Sequence, residues 1–203
     1  DCFLRTLITS FGNISKVGNN SEESLIFEPE KWHSCDDHDG MKCAEGVNCY
    51  SYALNNPKLY WSQPGFGFIK KIARDYIDDF NKYFASLSVE QFRKAMIDGA
   101  IRDGLSAIDS PASNLTHYSV ALYFADRGTD FDLHWYRLDD NGTWSHKNGW
   151  SKVSDLDDAG QIIIKLDVPP NIEYPVFGSY FLVPRTGINI TNTFPSRVIN
   201  EQK

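Results

Sequence analysis

The chain carries four cysteines and five histidines, the two residue types whose protonation is most readily tuned to neutral pH. One cysteine has a distinctive setting. In Asn48-Cys49-Tyr50-Ser51-Tyr52-Ala53-Leu54-Asn55-Asn56-Pro57, Asn48 is an N-cap type and Asn55-Asn56-Pro57 is a helix stop. Cys49 is therefore placed in the first turn of a short helix. A thiol attacks as thiolate, and with a pKa of about 8.5 only a few per cent is ionised at neutral pH. Unsatisfied N–H groups at a helix start favour the anion, and an adjacent imidazole does more.

The candidate imidazoles are His33, His38, His117, His134 and His146. Alternation along His134-Trp135-Tyr136-Arg137-Leu138 puts His134, Tyr136 and Leu138 on one strand face. If Asp140-Asn141-Gly142 is a three-residue hairpin loop, Asp139 pairs with Thr143 and Tyr136 with His146. His134 and His146 then become diagonal neighbours on one face, about 7 Å apart at Cβ, close enough for a ring-to-ring hydrogen bond. One imidazole can act as base while the other fixes its tautomer. His117 is the rival partner. With Arg127-Gly128 as a two-residue turn, His134 falls opposite Ala121, roughly 13 Å along the strand from His117. This register favours His146.

A cysteine at a helix start, followed by His-(six residues)-Asn-Gly-(three residues)-His in a hairpin, resembles the NlpC-type branch of the papain-like cysteine peptidases. The resemblance covers residues 48–57 and 117–183. It implies a papain-like fold in which Cys49 attacks, His134 is the base and His146 orients it. The wording of both segments also resembles uncharacterised secreted bacterial proteins and toxin-like effectors. That implies a secreted or translocated protein, a peptide or peptidoglycan-like substrate, and an inhibitor or immunity protein as a further partner. Three features depart from the branch. Asn48 stands where the branch has Asp, its Gly-Asp-Leu segment is absent, and no glutamine precedes Cys49 at papain-like spacing. One oxyanion donor would be the Cys49 backbone N–H.

The segment His33-Ser34-Cys35-Asp36-Asp37-His38-Asp39-Gly40-Met41-Lys42-Cys43 holds enough ligands for tetrahedral zinc. Its spacings match no common zinc knuckle, and a plain loop or a Cys35–Cys43 disulfide accounts for it equally well. No cofactor or metal is assigned. The alternative to an enzyme is a non-catalytic binding module on the same scaffold, with a metal in this loop.

The elements that must hold the site follow from periodicity. Apolar residues at helical spacing over Ile69–Phe84, then a Ser88-Val89-Glu90-Gln91 capping box, predict two helices. The second would bury Val89, Phe92, Met96, Ile97 and Ile101 and end near Gly104. Residues 66–105 thus read as a helical insertion, and 106–116 as a loop. The period then changes from 3.6 to 2. Strands are expected at 117–124, 131–138, 143–146, 161–166 and 176–183, with Leu25-Ile26-Phe27 as a short edge strand. Strand following strand implies an antiparallel sheet, so the fold class is α+β in a single domain over residues 1–203. The polar tail from Arg185 is expected to fray.

Composition narrows the function classes. At 41% apolar and 14% aromatic residues the chain can fill a core. A net charge of −7 with no basic cluster argues against nucleic acid and anionic membranes. The longest apolar run, Val120–Ala125, is far short of the roughly 18 residues needed to span a bilayer. No signal-peptide pattern is present, and Asp1 in place of Met reads as a processed form or as a piece made for expression.

Overall fold

The switch from helical to strand periodicity is visible in the architecture. A computed structural model describes residues 25–29, 32, 47–57, 62–65, 86–126, 132–149 and 151–188. Two helices are described, α1 (Cys49–Ala53) and α2 (Val89–Arg102). Six strands follow: β1 (Ser106–Ile108), β2 (His117–Phe124), β3 (Leu133–Leu138), β4 (Trp144–Lys147), β5 (Val153–Ser154) and β6 (Val176–Pro184). They form one antiparallel sheet in the order β1-β6-β2-β3-β4-β5. The protein is α+β. The helix expected over 69–84 lies outside the described residues, as do the His33–Cys43 ligands, Cys2, Trp61 and Trp150.

Each described helix is bounded by the residues its sequence announces. Asn48 is extended and its side chain accepts from Ser51 N, which starts α1. Asn55 ends it at φ +50°, a left-handed conformation that asparagine tolerates. Ser88 and Gln91 complete the capping box of α2. Its buried face is Phe92, Met96, Gly99 and Ala100, while Ile101 is 46% exposed. The reason is Gly99. A Cβ there would lie 2.7 Å from the Pro64 backbone, so its absence lets segment 62–65 sit directly on the helix. That close approach turns Gly99 inward and Ile101 outward.

The sheet is covered on both faces. Trp135, Leu133, Val120, Leu122, Phe124, Phe181 and Val183 meet α1 and α2 on one side. Ala121, Tyr123, Tyr136 and Trp144 meet Ile163, Leu166 and Tyr174 on the other. Double coverage explains why β2 is buried at nearly every position rather than at alternate ones. Each large apolar side chain so enclosed contributes about 1.5–3 kcal/mol. The α2 part of segment 66–105 belongs to this core through Phe92, Met96, Ala100 and Leu105.

Several sequence expectations are corrected. His134 pairs with Tyr123 and Ala121 with Tyr136, two positions from the expected register. The connection between β2 and β3 is longer than a two-residue turn and closes through Ala125 N–H donating to Asp132 O at 3.0 Å. A shift of two keeps every side chain on its face but moves His117 farther from His134, to six residues up β2, about 20 Å. Residues 161–166 form no strand. They make a single bridge, Leu156 to Ile162, while Trp144 and Ile163 bond across at 2.8 Å and Ile163 to Asp155 at 2.9 Å. Leu25–Phe27 is not a strand either, although Leu25 N donates to the Asp140 carboxylate at 2.8 Å. Residues 106–108, expected as loop, pair with β6. Arg185 is tied to Asn114, Ser113 and Asp140, so the chain does not fray at that residue.

Candidate functional site

Local structure brings Cys49, His134 and His146 to one end of the sheet. Asn48 not only caps α1 but donates from Nδ2 to Ser62 O at 2.5 Å, and Ser51 Oγ lies 2.7 Å from Ser62 Oγ. These bonds fix the start of α1 against segment 62–65. Along α1, Tyr50 packs on Trp135 with ring centroids 4.9 Å apart, and the Arg137 guanidinium lies 4.3 Å from the Tyr52 ring centroid. The helix therefore runs beside β3 with Cys49 at the Leu133 end. The thiol is fully buried, and its Sγ–H is directed at Leu133 O, 4.0 Å away.

The hairpin follows the expected register. Tyr136 pairs with His146, and Asp139 N–H donates to Thr143 O at 2.9 Å. His134 Nε2 and His146 Nδ1 are 2.8 Å apart. His146 Nε2 lies 3.1 Å from Leu156 O. A carbonyl can only accept, so in neutral His146 the proton sits on Nε2 and Nδ1 carries a lone pair. His134 must then donate from Nε2, which leaves its own Nδ1 as a bare lone pair. That atom is buried and has no hydrogen-bond partner. Burial, and then the neighbouring His146, hold His134 well below the ordinary histidine range; burial also lowers His146. Both rings are neutral at pH 7.

The His134 ring is held on three sides. It stacks on Tyr174 at 5.0 Å and meets Tyr136 and His146 edge-on at the same centroid distance. Tyr174 is anchored by donating to Asp132 at 3.0 Å. Alternation sends His134 to the face opposite Trp135 and α1. The thiol reaches the carbonyl of Leu133, the residue before His134, and the β3–β4 ladder has its last pair at Tyr136 and His146. Cys49 and His134 are not directly hydrogen-bonded, because Sγ addresses Leu133 O and His134 Nδ1 stands without a partner.

His117 takes no part. It lies opposite Pro184, with Nδ1 2.9 Å from Thr116 Oγ1. Trp135 and Trp144 are core residues. Leu156 O as the anchor of the histidine pair was not legible from residue order, because that role depends on a hairpin closing over residues 156–162. Residue order also hid a buried network behind α1. Arg137 donates from Nε to Asp139 at 2.7 Å and from a terminal nitrogen to Tyr52 Oη at 3.1 Å, while Ser145 Oγ donates to Asp139 at 2.6 Å. Burial raises Asp139 above the ordinary carboxyl range, and Arg137 opposes that rise. Arginine at a strand position flanked by Tyr136 and Leu138 would have been the only available signal.

Fold and site together define an antiparallel α+β protein with a buried helix-start thiol at the Leu133 carbonyl and a tautomer-fixed histidine pair that begins at the next residue. No family model and no solved structure matches the chain. It is 30% identical over 167 residues to insoluble matrix shell protein 1 of Ruditapes philippinarum, covering 82% of this chain and 95% of that protein. The chain belongs to the family of that shell matrix protein.

Proposed function

We propose that the protein is a cysteine hydrolase of papain-like type that cleaves or transfers acyl groups through Cys49, His134 and His146. The observation that carries this reading is the direction of the proton chain. Leu156 O orders His146, His146 orders His134, and the one imidazole nitrogen left as a lone pair is buried one residue from the carbonyl touched by the thiol. A structural histidine would spend both nitrogens.

The mechanism follows from the groups in hand. α1 has five residues, so its dipole does little by itself and the imidazole must supply the driving force for ionisation. With His134 neutral, the resting state is thiol and imidazole rather than an ion pair. As Sγ forms its bond to an acyl carbonyl carbon, the thiol proton passes to His134 Nδ1 and the carbonyl electron pair moves onto oxygen. Collapse expels the leaving group, which takes the proton from His134. Water then attacks the thioester with His134 as base, the C–S bond breaks, and the thiol is restored. Peptide amides, including those of peptidoglycan, are the first substrate class. Cys49 and His134 are both fully buried, so substrate entry needs the site to open.

A second reading is favoured by the family relationship and by the exposed aliphatic side chains Ile162, Ile164, Val168 and Ile172. In it the protein is a structural component of an insoluble matrix, and Cys49 is core filling. Site-resolved alkylation separates the two. Under the hydrolase reading, the alkylation of Cys49 by iodoacetamide in the folded protein at pH 7.5 depends on His134. His134→Ala slows the folded reaction by about a hundredfold, the lower end of a general-base contribution. If His134→Ala makes no difference, the hydrolase reading is wrong and the matrix reading stands.

A further inference from the structure

Acyl transfer to a thiol requires a base and also donors for the carbonyl oxygen, which becomes an anion in the transition state. In the acyl-transfer reading the Cys49 backbone N–H supplies one donor, and no glutamine precedes it at papain-like spacing to supply the other. Six tyrosines are fully or almost fully buried among the described residues, and five have bonded hydroxyls. Tyr50 donates to Asp103, Tyr118 to Ala53 O, Tyr123 to Leu166 O and Tyr174 to Asp132, while Tyr52 meets Ser145 and Arg137. Tyr136 is the exception. It is fully buried and its Oη has no hydrogen-bond partner.

An unbonded buried hydroxyl is costly, and one kept in a fold calls for a reason, of which a catalytic role is one. Tyr136 Oη and His134 Nδ1 are two partnerless polar atoms on the same face of β3, two residues apart. The Tyr136 ring leans toward the His134 end of the strand. Its centroid is 5.0 Å from His134 and 5.5 Å from Tyr123, the residue that pairs with His134. One atom can take a proton there and the other can give a hydrogen bond.

Resting on the acyl-transfer reading above, we infer that the Tyr136 hydroxyl is the second donor to the acyl oxygen, completing an oxyanion site for an ester, thioester or amide carbonyl bound between Cys49 and His134. Burial, then Tyr123, Asp158 and Cys49, raise the Tyr136 hydroxyl far above the ordinary tyrosine range, so it stays a donor throughout the working pH. No other partnerless atom shares the β3 face of His134 Nδ1: Trp135 Nε1 belongs to the face toward α1, Arg93 Nε is on α2, and Gln63 Oε1 is an acceptor in segment 62–65.

Two small probes distinguish an oxyanion donor from a packing residue. With p-nitrophenyl acetate, Sγ adds to the carbonyl carbon, the oxygen becomes anionic, and the C–O bond breaks to release p-nitrophenolate. With iodoacetamide, Sγ displaces iodide from a methylene and no oxyanion forms. Tyr136→Phe is expected to lower the Cys49-dependent acylation rate by about a hundredfold while leaving alkylation unchanged. Thermal stability should be equal to or above that of the wild type, because no hydrogen bond is lost. Tyr123→Phe, whose hydroxyl is committed to Leu166 O, should leave acylation unchanged. Equal acylation in Tyr136→Phe and wild type overturns the inference alone, and so does a parallel fall in both rates. Should wild type and Cys49→Ala release p-nitrophenolate alike, the thiol reading fails and takes this inference with it.

Discussion

Lowering the pH from 7.5 to 5.5 tests whether the histidine pair is stored neutral. In the unfolded chain each ring titrates near 6.5. At pH 7.5 about a tenth of a proton is bound per ring, and at pH 5.5 about nine tenths. In the folded protein burial lowers both rings, so the folded state binds fewer protons than the unfolded state throughout this window. The stability they contribute is present above the unfolded value and is lost as pH falls toward the folded one. Integrating proton uptake by the unfolded state gives a loss of about 1.4 kcal/mol for a ring that stays neutral, and at most about 2.7 kcal/mol for the pair. The opposite arrangement, an imidazolium paired with thiolate, would raise the folded affinity and make the protein more stable on acidification. The sign of the change therefore decides between two charge states of the same site. Two buried carboxyls, Asp103 and Asp139, are raised by burial and act in the opposite sense. The assay is urea unfolding at both pH values and fixed ionic strength, for wild type and for His146→Asn. That variant keeps an acceptor for His134 Nε2 but removes one titrating ring, so the carboxyl contribution cancels in the comparison. Wild type should lose stability on acidification, and His146→Asn should lose less. Stability that is flat or rising toward pH 5.5 in wild type, with the same slope in His146→Asn, would refute the reasoning.

Two further substitutions probe what holds the site. Asn48→Asp replaces the Nδ2 donor to Ser62 O with a buried carboxylate oxygen facing a carbonyl. It should cost about 3 kcal/mol in urea unfolding, and the loss should shrink at acid pH as the carboxyl protonates. Arg137→Met leaves Asp139 buried without its guanidinium, so a loss of about 3–5 kcal/mol is expected by chemical denaturation. Adding Asp139→Asn should recover part of it, because the penalty is an uncompensated charge rather than lost packing.

Features set by neighbours in sequence were the legible ones. Asn48 as cap, the Asn55-Asn56-Pro57 stop, the Ser88–Gln91 capping box and the Tyr136–His146 register all depend on residues within one turn or one tight hairpin. Alternation along β3 likewise put His134 and Tyr136 on a common face before any coordinates. The β2–β3 register was misread because its connection is not a tight turn, and the bulge that skips Gly178 between Leu122 and Tyr123 leaves no local signal. The exposure of Ile101 was invisible as well, since it follows from segment 62–65 lying against Gly99.

The chain's own pattern thus determined the α+β class, the helix-start position of Cys49 and the partnership of His134 with His146. Only the tertiary structure decided which nitrogen keeps a lone pair, which tyrosine lacks a partner, and that Arg137 and Asp139 are buried together. Those properties depend on a carbonyl at Leu156, a sheet covered on both faces, and a helix laid along β3. Hydrogen-bond donors and acceptors are properties of residues, but whether they are satisfied is a property of the packed whole.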